Sequence, residues 1–166
     1  MILVTGATSA VGKAVIKELL ARQVSVRAFV RKPVDAAELQ AQGVEAFLGD
    51  MTKQASVAQA LQGIESVYLI TPVEEHLLET EGLWAQESKK AGIRHLVKQS
   101  EIGADPQSFS PLLCDHGKAE DAIRSSGVPY TILGSVAKNL KLSKLKYTRT
   151  YLAGKRCRTC TFSPWK

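Results

Sequence analysis

The stretch VTGATSAVG, residues 4–12, decides how this chain is read. It joins a short apolar run over 2–4 to a segment over 10–20. In that segment Val11, Val15, Ile16, Leu19 and Leu20 recur at helical spacing. A strand that turns sharply into a helix through glycines is suited to an anion. Gly6 permits the turn, and Gly12 lets helix and strand pack closely. The helix N-terminus offers unpaired N–H groups and a partial positive charge. The middle position of a G-x-x-G-x-x-G loop is Ser9 rather than glycine. Serine is small, keeps its N–H and carries a hydroxyl that can donate to phosphate. The placement of the loop, after the first strand and before the first helix, predicts a dinucleotide-binding turn.

Working outward, the same alternation continues. Residues 24–30 read as a strand, 35–41 as a helix ending near Gly43, and 44–48 as a third strand. A helix over 54–61 follows Thr52, a residue suited to cap it, and is closed by Gly63. Residues 66–70 form a fourth strand that Pro72 stops, and 74–91 support a long helix ending at Gly92. A fifth strand over 94–98, a loop rich in Gly, Pro, Asp and Ser over 100–111, a helix over 115–125 and a sixth strand over 130–133 complete the pattern. Short apolar strands joined by helical crossovers predict an α/β fold. Its doubly wound, Rossmann-type parallel sheet carries helices on both faces. In such a sheet the ligand crevice lies at the carboxyl ends of the strands.

The strand ends therefore hold the candidate site. Arg31-Lys32 follows the second strand, where an acidic residue would hold a ribose 2′-hydroxyl and mark NAD. A guanidinium pairs instead with a 2′-phosphate, so NADP is expected over NAD. Asp50-Met51 follows the third strand beside the expected adenine, with Asp50 accepting from the amino group or capping the next helix. Thr71-Pro72 ends the fourth strand over the middle of the cofactor, and Lys98-Gln99-Ser100 ends the fifth near the nicotinamide.

Composition narrows the classes. The chain has 166 residues, 45% of them hydrophobic, which suits one domain of ordinary size. No apolar run approaches the ~20 residues of a membrane span. Met1 leads straight into the first strand, so no leader is expected and a cytoplasmic setting is. The net charge of +6 is unevenly placed. Residues 1–137 carry 13 Lys and Arg against 16 Asp and Glu, whereas residues 138–166 carry nine Lys and Arg and no acid. The expected division is a cofactor domain over 1–137 and a basic tail over 138–166. Within the tail, 138–146 places Leu140, Leu142 and Leu145 among four lysines, as a short basic amphipathic helix would. From Tyr147 onward no clean period remains. The tail lacks a nucleic-acid motif, so none is expected to bind. Cys157 and Cys160 form a lone C-x-x-C without the further ligands that zinc requires, so no metal is expected.

Taken together, VTGATSAVGKAVIKELLARQVSVRAFVRKP, GVEAFLGDMT, LITP, AGIRHLVKQSEIGAD and HGKAEDAIRSSGVPYTIL resemble the NmrA-like group of atypical short-chain dehydrogenase/reductase proteins, in particular its NAD(P)H-dependent quinone and azo reductases. The resemblance covers residues 1–133. It implies a Rossmann domain followed by a smaller substrate region. Members of that group either reduce quinones or related electrophiles, or sense redox state by binding dinucleotide and a protein partner. The resemblance implies cofactor contacts at Gly6, Thr8, Ser9, Ala10, Val11, Gly12, Arg31, Lys32, Asp50, Met51, Thr71, Pro72, Lys98 and Ser100. The family's His and its Glu four residues on match His116 and Glu120.

Three features depart from the family. Ser9 replaces the middle glycine. The expected position holds no Tyr-x-x-x-Lys, and that region reads Cys114-x-x-x-Lys118 instead. The Arg-Pro expected after YTIL is Gly134-Ser135, and Asn139-Leu140 is a remnant of the family's subsequent Asn-Leu stretch. The abrupt change to basic sequence predicts a truncated or frameshifted substrate region. Hydride transfer to a quinone needs mainly orientation and oxyanion stabilisation from the protein. His116 is the candidate proton donor and Lys118 the candidate positive charge, whereas Cys114 lacks an organised base and reads as a small apolar residue. Three readings stand: an NADPH-dependent quinone-type oxidoreductase, a non-catalytic dinucleotide sensor, and an inactive remnant. Oligomeric state is not legible.

Overall fold

The computed structural model describes residues 1–72, 76–135, 149–152 and 155–156. Elements alternate as expected: β1 (Ile2–Val4), α1 (Ala10–Ala21), β2 (Val26–Val30), α2 (Pro33–Gln40), β3 (Glu45–Leu48), α3 (Gln54–Ala60), β4 (Ser66–Leu69), α4 (Leu77–Lys90), β5 (His95–Glu101), α5 (Pro111–Ser126) and β6 (Tyr130–Ser135). The sheet order is β3-β2-β1-β4-β5-β6, all parallel. The chain thus winds outward from β1 in one direction and then returns to β1's other side with β4. That reversal opens a crevice between β1 and β4 at their carboxyl ends.

Strand alternation divides the core into two layers. Leu3, Phe29, Val67, Leu69, Leu96 and Ile132 face α3, α4 and α5. Val4, Val26, Ala28 and Val30 face α1 and α2. Trp84 on α4 is fully buried and meets Phe29 edge-on, with ring centroids 5.3 Å apart. Its indole Nε1 donates to the Met51 carbonyl at 3.1 Å, which ties the turn after β3 to the core.

Three of the boundaries that differ from the sequence reading have clear physical causes. α2 begins at Pro33, because proline suits the first helical position, where no N–H partner is needed. β5 runs on through Gln99, Ser100 and Glu101, since β6 continues to pair with it as far as Glu101 opposite Ser135. α5 starts at Pro111 rather than four residues later, and ends at Gly127 in the left-handed conformation, φ 74°. Early α5 thus carries Cys114 and His116 on helix rather than at a loop's edge.

After β6, two short strands extend the sheet: β7 (Arg149–Leu152), antiparallel to β6, and β8 (Lys155–Arg156), antiparallel to β7. The sequence showed no period there. Backbone pairing onto an open edge needs none. The amphipathic stretch expected over 138–146 and the Cys157–Cys160 pair lie outside the described residues. No helix among the described residues is long and apolar enough to cross a membrane.

The loop from Ile102 to Ser110 is pinned to α5 by a glycine. A Cβ on Gly117 would lie 2.3 Å from the Asp105 carbonyl carbon and from the Pro106 nitrogen. Both are backbone atoms and neither can swing aside. Gly117→Ala is expected to destabilise the chain by ~1–3 kcal/mol through overpacking. Urea unfolding measures it, and an unchanged midpoint would mean the loop moves away freely.

Candidate functional site

Each residue at the crevice is placed by the strand that precedes it. Thr5 is the first residue past β1 and is fully buried. Its hydroxyl donates to the Ile70 carbonyl at 2.8 Å and accepts from the Ile70 N–H at 2.7 Å. Its own N–H donates to the Tyr68 carbonyl at 3.0 Å. These bonds bring the ends of β1 and β4 to one level. Gly6 follows with φ 55°, and a Cβ there would lie 2.8 Å from Ile70. Gly12 packs so closely that a Cβ would lie 2.2 Å from the Gly6 carbonyl oxygen. Both glycines therefore do what the sequence assigned to them.

Ser9 explains its own presence. It is the N-cap of α1, with extended backbone, and its Oγ accepts from the Gly12 N–H at 3.0 Å. The hydroxyl proton is left available to an outside acceptor. No acidic residue occupies the first turn of α1, so the helix carries no carboxylate of its own against the positive end of its dipole. Thr8 and Ala10 are exposed and Val11 is half-buried around this cap.

Arg31 and Lys32 are exposed at the end of β2. Asp50, after β3, accepts through Oδ1 from the Thr52 N–H at 2.9 Å and the Thr52 hydroxyl at 2.7 Å. Those bonds hold its carboxyl below the usual range, with Lys53 and Arg31 adding to the effect. Asp50 thus organises its own turn at the edge of the crevice. Thr71 and Pro72 follow β4, half-buried and exposed respectively.

Beyond β4 the arrangement departs from expectation. Lys98 and Ser100, expected on the cofactor wall, occupy alternate inward positions of β5 and are 0% and 2% exposed. Lys98 forms an ion pair with Glu81 of α4, also fully buried. Its Nζ lies 3.3 Å from His116 Nδ1. The Ser100 hydroxyl donates to Glu120 Oε1 at 2.7 Å, and Arg124 Nη2 donates to Glu120 Oε2 at 2.6 Å. The cause is strand parity: Leu96, Lys98 and Ser100 share the face turned toward α4 and α5.

His116 and Lys118, the two candidate catalytic residues, are not brought together. His116 is buried, whereas Lys118, two residues on, is exposed and faces away. The positive charge beside His116 comes from Lys98. Burial, and secondarily that charge, lower the His116 pKa to about 4. At neutral pH the imidazole is therefore uncharged, which corrects its role as an imidazolium proton donor. Cys114 is half-buried, and its thiol donates to the Pro106 carbonyl at 3.2 Å. Among the described residues no cluster of His, Cys, Asp and Glu is arranged to hold a metal ion.

Sequence reasoning passed over Thr5 and Glu81. The signal for Glu81 was present. Leu77, Glu81, Trp84 and Ser88 fall at 3–4 residue spacing on the buried stripe of α4, so a carboxylate interrupts an otherwise inward-facing row. Thr5 carries no such signal, because a threonine after a strand is common.

With this geometry in place, comparison with known proteins is direct. Residues 6–151 match a family described as NAD(P)H-binding. The chain is 30% identical over 133 residues to the NAD(P)H azoreductase of Xenophilus azovorans, covering 80% of this chain and 46% of that protein. The NADPH-dependent quinone oxidoreductase of Escherichia coli, solved with NADPH, superposes with TM-score 0.74 at 32% identity, over 81% of this chain and 48% of that one. The triphenylmethane reductase of Citrobacter sp., solved with NADP(H), gives TM-score 0.74 at 29% identity, over 83% and 50%. The chain spans about half the length of these relatives.

Two outcomes are expected from the site itself. Ser9→Ala removes the cap and is expected to cost about 1 kcal/mol, and Ser9→Gly only a few tenths, in urea unfolding. Equal losses would mean the hydroxyl does not cap α1. The second concerns acid. Between pH 6.5 and about 4 the unfolded state binds a proton at His116 that the folded state does not, so stability falls as pH drops through that window and levels off below it. The full effect is of order 3 kcal/mol. His116→Gln is expected to flatten the curve there, and an unchanged slope would assign it to other groups.

Proposed function

The chain belongs to the NAD(P)H-binding family, and on that premise we propose that it binds NADP(H) and directs hydride to a quinone or similar electrophile. The observation that carries this reading joins two strand ends. The loop at Gly6–Gly12 presents a helix N-terminus with no carboxylate of its own and with the Ser9 hydroxyl proton available. Exposed Arg31-Lys32 stands at the end of β2, where NAD binding would require an acid. This donor set fits a pyrophosphate and a 2′-phosphate. The NADP(H) and NADPH held by the two solved relatives support the same choice.

In this reading the α1 N-terminus, Thr8 and Ser9 take the pyrophosphate, with Ala10, Val11 and Gly12 forming the tight backbone beneath it. Arg31 pairs with the 2′-phosphate and Lys32 adds charge. Asp50 and Met51 border the adenine, and Thr71 and Pro72 line the middle of the cofactor. When bound, NADP(H) supplies the hydride. The chain's own contribution at the far end is polar: the neutral imidazole of His116, held in a buried network, is a hydrogen-bond donor for an oxygen that gains negative charge. Lys118 is left with a surface role. Early α5 reads Cys114-x-x-x-Lys118 in place of a Tyr-x-x-x-Lys pair, which supports a quinone over an alcohol as substrate class. It equally supports a redox sensor that binds dinucleotide without turnover, for which a protein partner takes the place of a substrate.

Titrating NADPH and NADH by fluorescence, then following NADPH oxidation with a simple quinone, separates these readings. Tighter NADPH binding with quinone-dependent oxidation is expected. Tight binding without oxidation would favour the sensor. Arg31→Asp is expected to weaken NADPH by about 10- to 100-fold while sparing NADH, the scale of one charge-assisted contact. Equal losses for both cofactors would overturn the role of Arg31.

A further inference from the structure

We propose that Glu81 is a positioning residue that, by holding Lys98 as a charged ammonium, makes His116 Nδ1 an acceptor and so presents His116 Nε2–H as a hydrogen-bond donor at the substrate end of the crevice. Only the last clause, the substrate end, rests on the function proposed above.

Three elements build this relay. Glu81 comes from α4, Lys98 from β5 and His116 from α5. Glu81 and Lys98 are both fully buried and paired. An ammonium has three N–H donors and no lone pair. Lys98 Nζ faces three groups with lone pairs: the Glu81 carboxylate, with which it is ion-paired, the Gln99 carbonyl at 3.4 Å and His116 Nδ1 at 3.3 Å. A neutral amine, with two N–H groups and one lone pair, could meet the same three only if Nδ1–H donated to it. Burial pushes the Glu81 carboxyl up and Lys98 opposes that shift; their direct ion pair selects the ammonium, and the ammonium fixes the imidazole. Facing a donor-only group, Nδ1 must be bare, and in the neutral ring the proton then sits on Nε2.

His116 Nε2 is buried and has no hydrogen-bond partner among the described residues. The nearest rival acceptor on its own helix is Glu120, one turn on. Its two oxygens are already engaged by Ser100 and by Arg124. The charged groups around the ring are thus Glu81 from α4, Lys98 from β5, and Glu120 with Arg124 on α5. None of them takes the Nε2 proton. A buried donor left open calls for an acceptor from outside the described residues. An oxygen that becomes more negative as it accepts hydride suits it.

Glu81 is the residue on which the tautomer turns. A buried lysine without a counter-ion sheds its proton. Its nitrogen then has a lone pair, Nδ1–H can donate to it, and Nε2 becomes an acceptor. Loss of one carboxylate would reverse the hydrogen bond that His116 offers, although Glu81 makes no hydrogen bond to the ring.

The test reads the ring directly. Nitrogen-15 NMR of the 166-residue chain distinguishes a protonated from a bare ring nitrogen, and with three histidines His116→Gln identifies the signal. At neutral pH the unaltered chain is expected to show a protonated Nε2 and a bare Nδ1 at His116. Glu81→Gln is expected to convert the ring to the Nδ1–H form or a mixture. Should that variant fail to fold, the Glu81→Gln/Lys98→Met double variant buries no unpaired charge and is expected to lose the single Nε2–H form as well. An Nδ1–H form in the unaltered chain, or an unchanged Nε2–H pattern in the folded variants, would overturn the proposal. No cofactor or quinone enters this measurement, so its failure is distinct from failure of the oxidation assay.

Discussion

The buried hydroxyl of Thr5 sets the geometry on which the crevice depends. In a doubly wound sheet the two strands at the reversal diverge into different helices, and here the β1–β4 ladder ends with Val4 opposite Tyr68. Just beyond it one side chain accepts from and donates to the same residue, Ile70. The consequence is that the Gly6 turn and the Thr71-Pro72 turn begin at the same height. Gly6 can lie against Ile70 only because it has no Cβ. The anion-facing loop is therefore defined from below, by strand-end alignment, as much as by its own glycines.

A second constraint works on the opposite side of the sheet. β5 carries apolar Leu96 into the core and then, two and four residues later, Lys98 and Ser100 into the same layer. Desolvating such groups is costly unless each finds a partner. α4 supplies Glu81, and α5 supplies His116 and Glu120. The polar layer thus sits directly above the apolar one, under the carboxyl ends of the strands. This places the buried charges where an α/β sheet binds its ligands rather than in the middle of its core.

Much of this was legible in the sequence, for reasons that can be named. Short runs of three to seven residues separated by helical stripes leave little choice but a parallel sheet. Gly6 and Gly12 mark their own turn. Arg31 stands exposed at the end of β2, as expected. What escaped notice is equally specific. Gln99, Ser100 and Glu101 look like a loop because they are polar, yet β6 pairs with them to the end. Lys98 reads as a strand-end contact near the nicotinamide, whereas it is fully buried. Its burial depends on Glu81, 17 positions earlier on another element, and no local pattern links the two. Ser9 looked like a defect in a glycine motif, whereas its hydroxyl caps the helix that the motif opens. β7 and β8 arise from backbone pairing, which leaves no trace in side-chain periodicity.

The Lys98–Glu81 pair has a meaning for folding apart from any chemistry. Side chains alternate along β5, so a slip of one residue against β4 or β6 would carry Lys98 and Ser100 to the far face and bring Gln99 inward. Glu81 would then remain in the core with its counter-ion on the opposite side of the sheet. Misregistered pairings of β5, which hydrophobicity alone discriminates weakly across so polar a strand end, carry the full penalty of an isolated buried carboxylate. The pair is thus a proofreading element for the register of the strand that bears it.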